Sequence, residues 1–204
     1  VNLTSFDLIP AQIKELLEKE EANDYCLILP VHLMGYPCDM DSINELAQKY
    51  DLVVFEDTAQ AHGSKYKGKN TGTLSLLADY SFYIAHNIQV GEMGAVITND
   101  KKINTLIKKI KANGRVCDCD LCTRSKGYCP KQDLGTDPRF LHDLIGYNFK
   151  TMEFQAALGT LQLTKFDQII KTRQKNVQYL NQHLNKYAHF FQLPLYSDEV
   201  SYLA

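Results

Sequence analysis

Apolar and polar positions recur along this chain with two periods, and the periods place its elements. From Pro10 to Glu21, Ile13, Leu16 and Leu17 share one face and charges the other, which predicts a helix. Tyr25–Leu33 (YCLILPVHL) is a short apolar run suited to a buried strand. The next helix starts at Asp39, with acids in its first turn where the helix dipole favours them. Leu52-Val-Val-Phe-Glu predicts a second buried strand, and Tyr80–Ala85 and Gly94–Thr98 predict two more. Lys101–Ala112 has helical spacing, with its lysines on a solvated face. Thr151 to about His183 predicts one long helix or two, with Phe154, Leu158, Leu161 and Leu163 supplying apolar faces.

Strands that alternate with helices argue an α/β protein with a largely parallel sheet. In open sheets of this class, ligands bind beyond the carboxyl ends of the strands. Cys117–Asp143 breaks the pattern: it holds Gly, Pro, Asp and Cys without apolar periodicity and reads as a loop or insertion.

Composition narrows the function classes. The 204 residues are 45% hydrophobic and 23% charged, ordinary for a globular chain with one sizeable core. A net charge of −2, with acids and bases interspersed, argues against nucleic-acid binding, which needs a basic stripe. No apolar run reaches the roughly 18–20 residues that cross a bilayer. No N-terminal signal peptide is legible either, so the expected location is cytoplasmic. The chain opens on Val1 and ends on Ala204 without a start or finish signal, and is expected to be a piece of a longer protein. Of the six cysteines, Cys26 and Cys38 read as buried small residues. Cys117, Cys119, Cys122 and Cys129 cluster, and in a reducing compartment clustered thiols suggest metal ligands before disulfides.

Two strand ends carry the candidate chemistry. Glu56-Asp57-Thr58-Ala59-Gln60-Ala61-His62-Gly63 closes one of them. A ligand-edge carboxylate and a cap for the following segment are evenly matched readings of Asp57. Ser81-Phe82-Tyr83-Ile84-Ala85-His86-Asn87, followed by Gly91-Glu92-Met93-Gly94-Ala95-Val96, closes the other. A lone histidine there is more often structural than catalytic. The pattern alone stops at an α/β enzyme with a site near Asp57 and His86.

Longer blocks carry the reading further. VHLMGYPCDMDSINELAQKYDLVVFEDTAQAHGSKYKGKNTG resembles the middle of the DegT/DnrJ/EryC1/StrS family, pyridoxal-phosphate-dependent nucleotide-sugar aminotransferases of the type I aspartate-aminotransferase fold. IGYNFKTMEFQAALGTLQL resembles that family's GYNYRM-x-x-x-QAA motif, and the blocks cover most of residues 24–175 in the right order. The resemblance implies a three-layer α/β large domain with a mainly parallel, seven-stranded sheet, of which residues 1–164 supply a part that includes a cysteine-rich loop at 114–143. It implies a long helix and the start of a small C-terminal domain over 165–204. It also implies that Asp57 pairs with the pyridine nitrogen, keeping it protonated so that the ring acts as an electron sink. Gln60 is implied to contact the ring and Ser81 to bond the phosphate. Asn148 is implied to reach the phosphate of a neighbouring subunit, which makes a homodimer with shared sites.

His86 departs from the aminotransferases, which carry there a lysine that bonds covalently to the cofactor. Imidazole forms no stable link of that kind, but it takes and returns a proton near pH 7. The stretch from His86 to Val96 resembles the HH-I-x-x-x-E-G-G-x-V stretch of one branch, the 3-dehydratases that make 3,6-dideoxysugars; Asn87 and Met93 depart from it. That branch implies a noncovalently held pyridoxamine phosphate. It implies that His86 moves a proton while the C3 hydroxyl leaves a 4-keto-6-deoxy nucleotide sugar, a step of deoxysugar and O-antigen biosynthesis. An aminotransferase with a substituted lysine and a catalytically silent cofactor-binding relative are the competing readings.

The cluster Cys117-x-Cys119-x2-Cys122-x6-Cys129 supplies four thiolates, which suit zinc or a [2Fe–2S] centre. One subgroup of these dehydratases carries a [2Fe–2S] centre on a similar C-x-C-led cluster, with a reductase as partner. A further ligand there follows the ED motif, where this chain has Thr58-Ala59-Gln60 and no cysteine. Iron–sulfur, zinc and free thiols stay open, with a metal centre favoured. His32 reads as structural, and His62 as a pocket-lining candidate that ranks below His86.

Overall fold

A computed structural model describes residues 2, 5–19, 24–117, 119, 122–131 and 135–203. They form two compact units, one of Val1–Ile97 with Glu153–Ala204 and one of Thr98–Met152.

The first unit holds the sheet. Strands β1 (Leu27–Ile28), β2 (Val53–Asp57), β5 (Leu77–Ser81) and β6 (Gly94–Thr98) lie in the order β1-β2-β5-β6. β2 runs parallel to both β1 and β5, with Asp57 in register with Asp79. Strands β3 (Lys65–Tyr66) and β4 (Lys69–Asn70) form a separate antiparallel ribbon. Helix α1 (Pro10–Lys19) begins on proline, whose missing N–H costs nothing in a first turn. Glu20 and Glu21, expected to end it, lie outside the described residues. Helix α2 (Met40–Lys49) is capped by Asp39, whose carboxylate accepts from the Ser42 N–H at 3.4 Å. The two helices bury Leu17, Met40, Ile43 and Ala47 with Ile28, Cys38, Leu52 and Val54. Each fully buried aliphatic side chain of this kind contributes about 1.5–3 kcal/mol.

Two expected strands are shorter or displaced. In the 25–33 run only Leu27 and Ile28 form a strand, because Pro30 has no N–H to donate; pairing resumes as a single bridge between Val31 and Asp57. The strand expected at Tyr80–Ala85 instead ends at Ser81. Beyond it the chain turns, and the His86 N–H bonds back to the Tyr83 carbonyl at 2.9 Å. The apolar stretch after Thr151 forms two helices, α4 (Glu153–Thr164) and α5 (Phe166–Leu184). Cys38 is buried as expected, whereas Cys26 is exposed.

The second unit starts with α3 (Lys101–Lys111), capped by Asp100, which accepts from the N–H groups of Lys102 and Ile103. Lys108, Lys109 and Lys111 crowd its last turn, where cations suit the helix dipole. Gly114 and Gly146 pack closely: a Cβ on Gly146 would overlap the Gly114 backbone, and one on Gly114 the Leu144 carbonyl. The described residues from Cys117 to Asp143 are irregular as expected, apart from one 3-10 turn at Arg124–Lys126.

Candidate active site

Four of the residues singled out by sequence, Asp57, Gln60, Ser81 and His86, belong to the first unit. They lie at or just beyond the carboxyl ends of the adjacent parallel strands β2 and β5. Asp57 is half-buried, and its Oδ1 accepts from the Ala59 N–H at 3.0 Å. Its backbone is clamped on one side: its N–H donates to the Pro30 carbonyl at 2.9 Å, and its carbonyl accepts from the His32 N–H at 3.0 Å.

Glu56, one residue earlier, faces the opposite side of the sheet and is fully buried. Four groups donate to it: His32 Nε2 at 3.1 Å, Gly72 N at 2.7 Å, Leu74 N at 2.8 Å and Ser75 Oγ at 2.8 Å. Burial pushes its carboxyl up, but the bonds from His32, Gly72, Ser75 and Leu74 outweigh this and hold it below the ordinary range. Gly72 fits this turn because its φ is +83° and a Cβ there would overlap the Tyr80 hydroxyl.

Asp79 sits beside Asp57 on β5, and its Oδ1 has no hydrogen-bond partner. Burial and then the charge of Asp57 raise its carboxyl above the usual value. Among the described residues neither Asp57 nor Asp79 forms an ion pair, so this edge of the sheet is short of positive charge.

Gln60 accepts the Met34 N–H at 2.8 Å through Oε1, which leaves its amide as a donor. Ser81 Oγ accepts from the Tyr83 N–H at 3.3 Å, and its hydroxyl proton is free to turn to a ligand. His86 is half-buried and stands edge-on to Tyr83, with ring centroids 5.7 Å apart. Its Nδ1 lies 3.2 Å from the Ser81 carbonyl. A carbonyl only accepts, so Nδ1 carries the proton and Nε2 presents a lone pair.

His62 is buried, with its ring 5.1 Å from Tyr80 and 5.4 Å from Phe82. Burial, and then the charge of His86, push its imidazole down to about 4. It is a neutral wall residue near neutral pH. His32 is structural as expected: its Nδ1 accepts the Cys38 N–H at 3.0 Å while its Nε2 serves Glu56.

Asn148 belongs to the second unit, exposed and bridged to Ala112. The cysteines expected to share a metal lie in the same unit, with Cys117 and Cys129 half-buried and Cys119 and Cys122 exposed. The structure does not gather them. Among the described residues no three His, Cys, Asp or Glu side chains are placed to hold an ion.

Sequence reading missed Asp79, which lies just before the strand expected at Tyr80–Ala85. Glu56 reads with Asp57 as a strand-end carboxylate, without its buried network, and Asn87, fully buried, only as a departure from the dehydratase pattern.

The sequence pattern of the DegT/DnrJ/EryC1/StrS aminotransferase family matches residues 1–203. The chain belongs to this family. It is 36% identical over 169 residues to GDP-perosamine synthase of Escherichia coli O157:H7, covering 83% of this chain and 41% of that protein. It is 33% identical over 196 residues to dTDP-4-dehydro-2,6-dideoxy-D-glucose 3-dehydratase of Saccharopolyspora spinosa, covering 91% and 40%. Among solved structures it superposes on E. coli GDP-4-keto-6-deoxy-D-mannose-3-dehydratase with bound hydrated PLP. The TM-score is 0.81 at 25% identity, over 100% of this chain and 50% of that one. The fold is the α/β large-domain fold of type I pyridoxal-phosphate enzymes. The chain spans about two fifths of the length of these curated relatives. No helix among the described residues is long and apolar enough to cross a membrane.

Proposed function

We propose that this chain supplies the cofactor-binding side of a sugar 3-dehydratase. Its substrate would be a 4-keto-6-deoxy nucleotide sugar and its cofactor pyridoxal phosphate in the pyridoxamine form. The observation that carries the reading is the bond from His86 Nδ1 to the Ser81 carbonyl. It presents a basic nitrogen, and no amine for a covalent link, at the position where the family's aminotransferases carry lysine.

The donor set suits the cofactor. Asp57 and Asp79 are carboxylates without a cationic partner, and a protonated ring nitrogen supplies the missing charge. The Gln60 amide would contact the ring, and the Ser81 hydroxyl would donate to the phosphate. When bound, the pyridoxamine form brings an amine for the sugar ketone and a ring that withdraws electrons. His86 then takes up and returns a proton through Nε2, while the Nδ1 bond fixes the plane of its ring. His62, held neutral, does not compete for that proton.

The reading includes a homodimer in which the exposed Asn148 reaches the partner's phosphate site. Phe154, Leu158 and Leu161 of α4 support it, because they form an exposed apolar face at helical spacing. Residues 1–164 remain assigned to the cofactor-binding domain and 165–204 to the passage into a small domain. A metal on Cys117, Cys119, Cys122 and Cys129 has no support from their placement, and no step is routed through it.

Product analysis of the full-length protein tests the reading. Supplied with pyridoxamine phosphate, glutamate and candidate 4-keto-6-deoxy nucleotide sugars, with and without a reductant, it should release a 3-deoxy sugar. Release of an amino sugar alone would establish the aminotransferase instead. Iron and zinc analysis of anaerobically purified protein decides the cysteine question separately.

A further inference from the structure

The loop that carries His86 meets the segment that follows Asp57 through the ring contact of Phe82 with His62 and through one buried side-chain hydrogen bond. Asn87 is only 1% exposed, and its Nδ2 donates to the His62 carbonyl at 3.4 Å. Its Oδ1 and both ring nitrogens of His62 meet no partner among the described residues. Leaving buried polar atoms unmet costs free energy that an apolar side chain of similar size would not. Packing alone therefore does not favour asparagine and histidine at these positions.

Of the other bonds of this loop, one comes from α4, where Gln155 Nε2 donates to the Glu92 carbonyl, and those around His86 stay local. The His86 N–H returns to Tyr83, His86 Nδ1 to Ser81, and the Val90 N–H to the Phe82 carbonyl. The Asn87 amide adds a hydrogen-bonded connection across to the other arm of the site.

We infer that Asn87 is a positioning residue for His86. Its amide pins the His86 loop to the segment between Asp57 and His62, and so fixes where the imidazole stands relative to the Asp57 carboxylate. This deepens the proposed function and rests on its assignment of His86 as the proton carrier.

The test uses full-length protein, selectively 15N-labelled at histidine, and long-range 1H–15N spectra that read the tautomer of each ring. The wild type should show His86 as a single Nδ1–H tautomer. Asn87→Leu keeps the volume and loses the donor, so it should give a mixture of His86 tautomers. Its melting temperature should stay within a few degrees, and its kcat should fall at least tenfold with KM within twofold. Asn87→Ala should show the same mixture, and it serves as the readout if the leucine variant does not fold. His62→Leu keeps the backbone carbonyl that Asn87 uses, so it should retain the wild-type tautomer.

A single Nδ1–H tautomer in both Asn87 variants would overturn the inference. So would a His62→Leu variant that mixes tautomers as Asn87→Leu does. The tautomer readout does not depend on which sugar product forms. Release of an amino sugar would therefore sink the dehydratase reading and leave the role of Asn87 to the spectra.

Discussion

His32 and Glu56 form a fully buried pair: Nε2 of His32 donates to Oε2 of Glu56 at 3.1 Å, and Nδ1 of the same ring accepts the Cys38 N–H. The ring is thus locked in one tautomer, and the carboxylate takes four donors. Glu56→Gln puts an amide NH2 where one of the two oxygens receives two donors. The variant should lose about 1–3 kcal/mol of stability for each of the two buried donors left facing that NH2. Urea unfolding of the full-length protein measures it; a loss below about 1 kcal/mol would show that the network relaxes around the change.

Acid sensitivity should have two separable parts. The His62 imidazole is held down to about 4, against about 6.5 when unfolded. Between those values the unfolded chain binds a proton that the folded protein refuses. Stability should therefore fall as pH drops from 6.5 toward 4, by roughly 3 kcal/mol in all. The Glu56 carboxyl is held low, so its contribution is full above the ordinary carboxylate value and is lost as pH falls through its folded value. His62→Leu should remove the first part and keep the second. Denaturant curves at pH 7, 6 and 5 decide it; wild-type and variant curves that fall in parallel would refute the assignment.

Asp79 should oppose stability at neutral pH. Burial and the neighbouring Asp57 raise its folded value, so what it contributes is present below the unfolded carboxylate value and is lost as pH rises. Asp79→Asn keeps the shape and removes a like charge beside Asp57. The variant should melt higher than the wild type at pH 7, and the gap should close near pH 4. A lower melting temperature at pH 7 would mean that Asp79 has a stabilising partner.

The regular elements were legible where periodicity and end signals agreed. Asp39 and Asp100 cap their helices, and Lys101–Ala112 matches α3 to within one residue. Hydrophobicity misled where a single backbone group decided the matter. Pro30 interrupts an apolar run because it lacks an N–H, and β5 ends at Ser81 because the chain turns back on Tyr83. The strand-end position of Asp57 was legible from the apolar run before it, whereas His86, expected at a strand end, stands in the turn beyond β5. The partners of Glu56 were not legible, because Gly72, Leu74 and Ser75 approach it from a loop whose path no local pattern encodes. The cysteine spacing suggested a metal centre, but spacing along an irregular loop does not specify convergence in space.

The central claim is that His86 serves an untethered cofactor. Borohydride treatment of the full-length protein loaded with pyridoxal phosphate, followed by intact mass and peptide mapping, tests it most directly. Wild-type protein should gain no covalent cofactor in the 81–93 segment, whereas His86→Lys should gain one at position 86. A covalent cofactor on that segment of the wild type, or none on the lysine variant, would contradict the account.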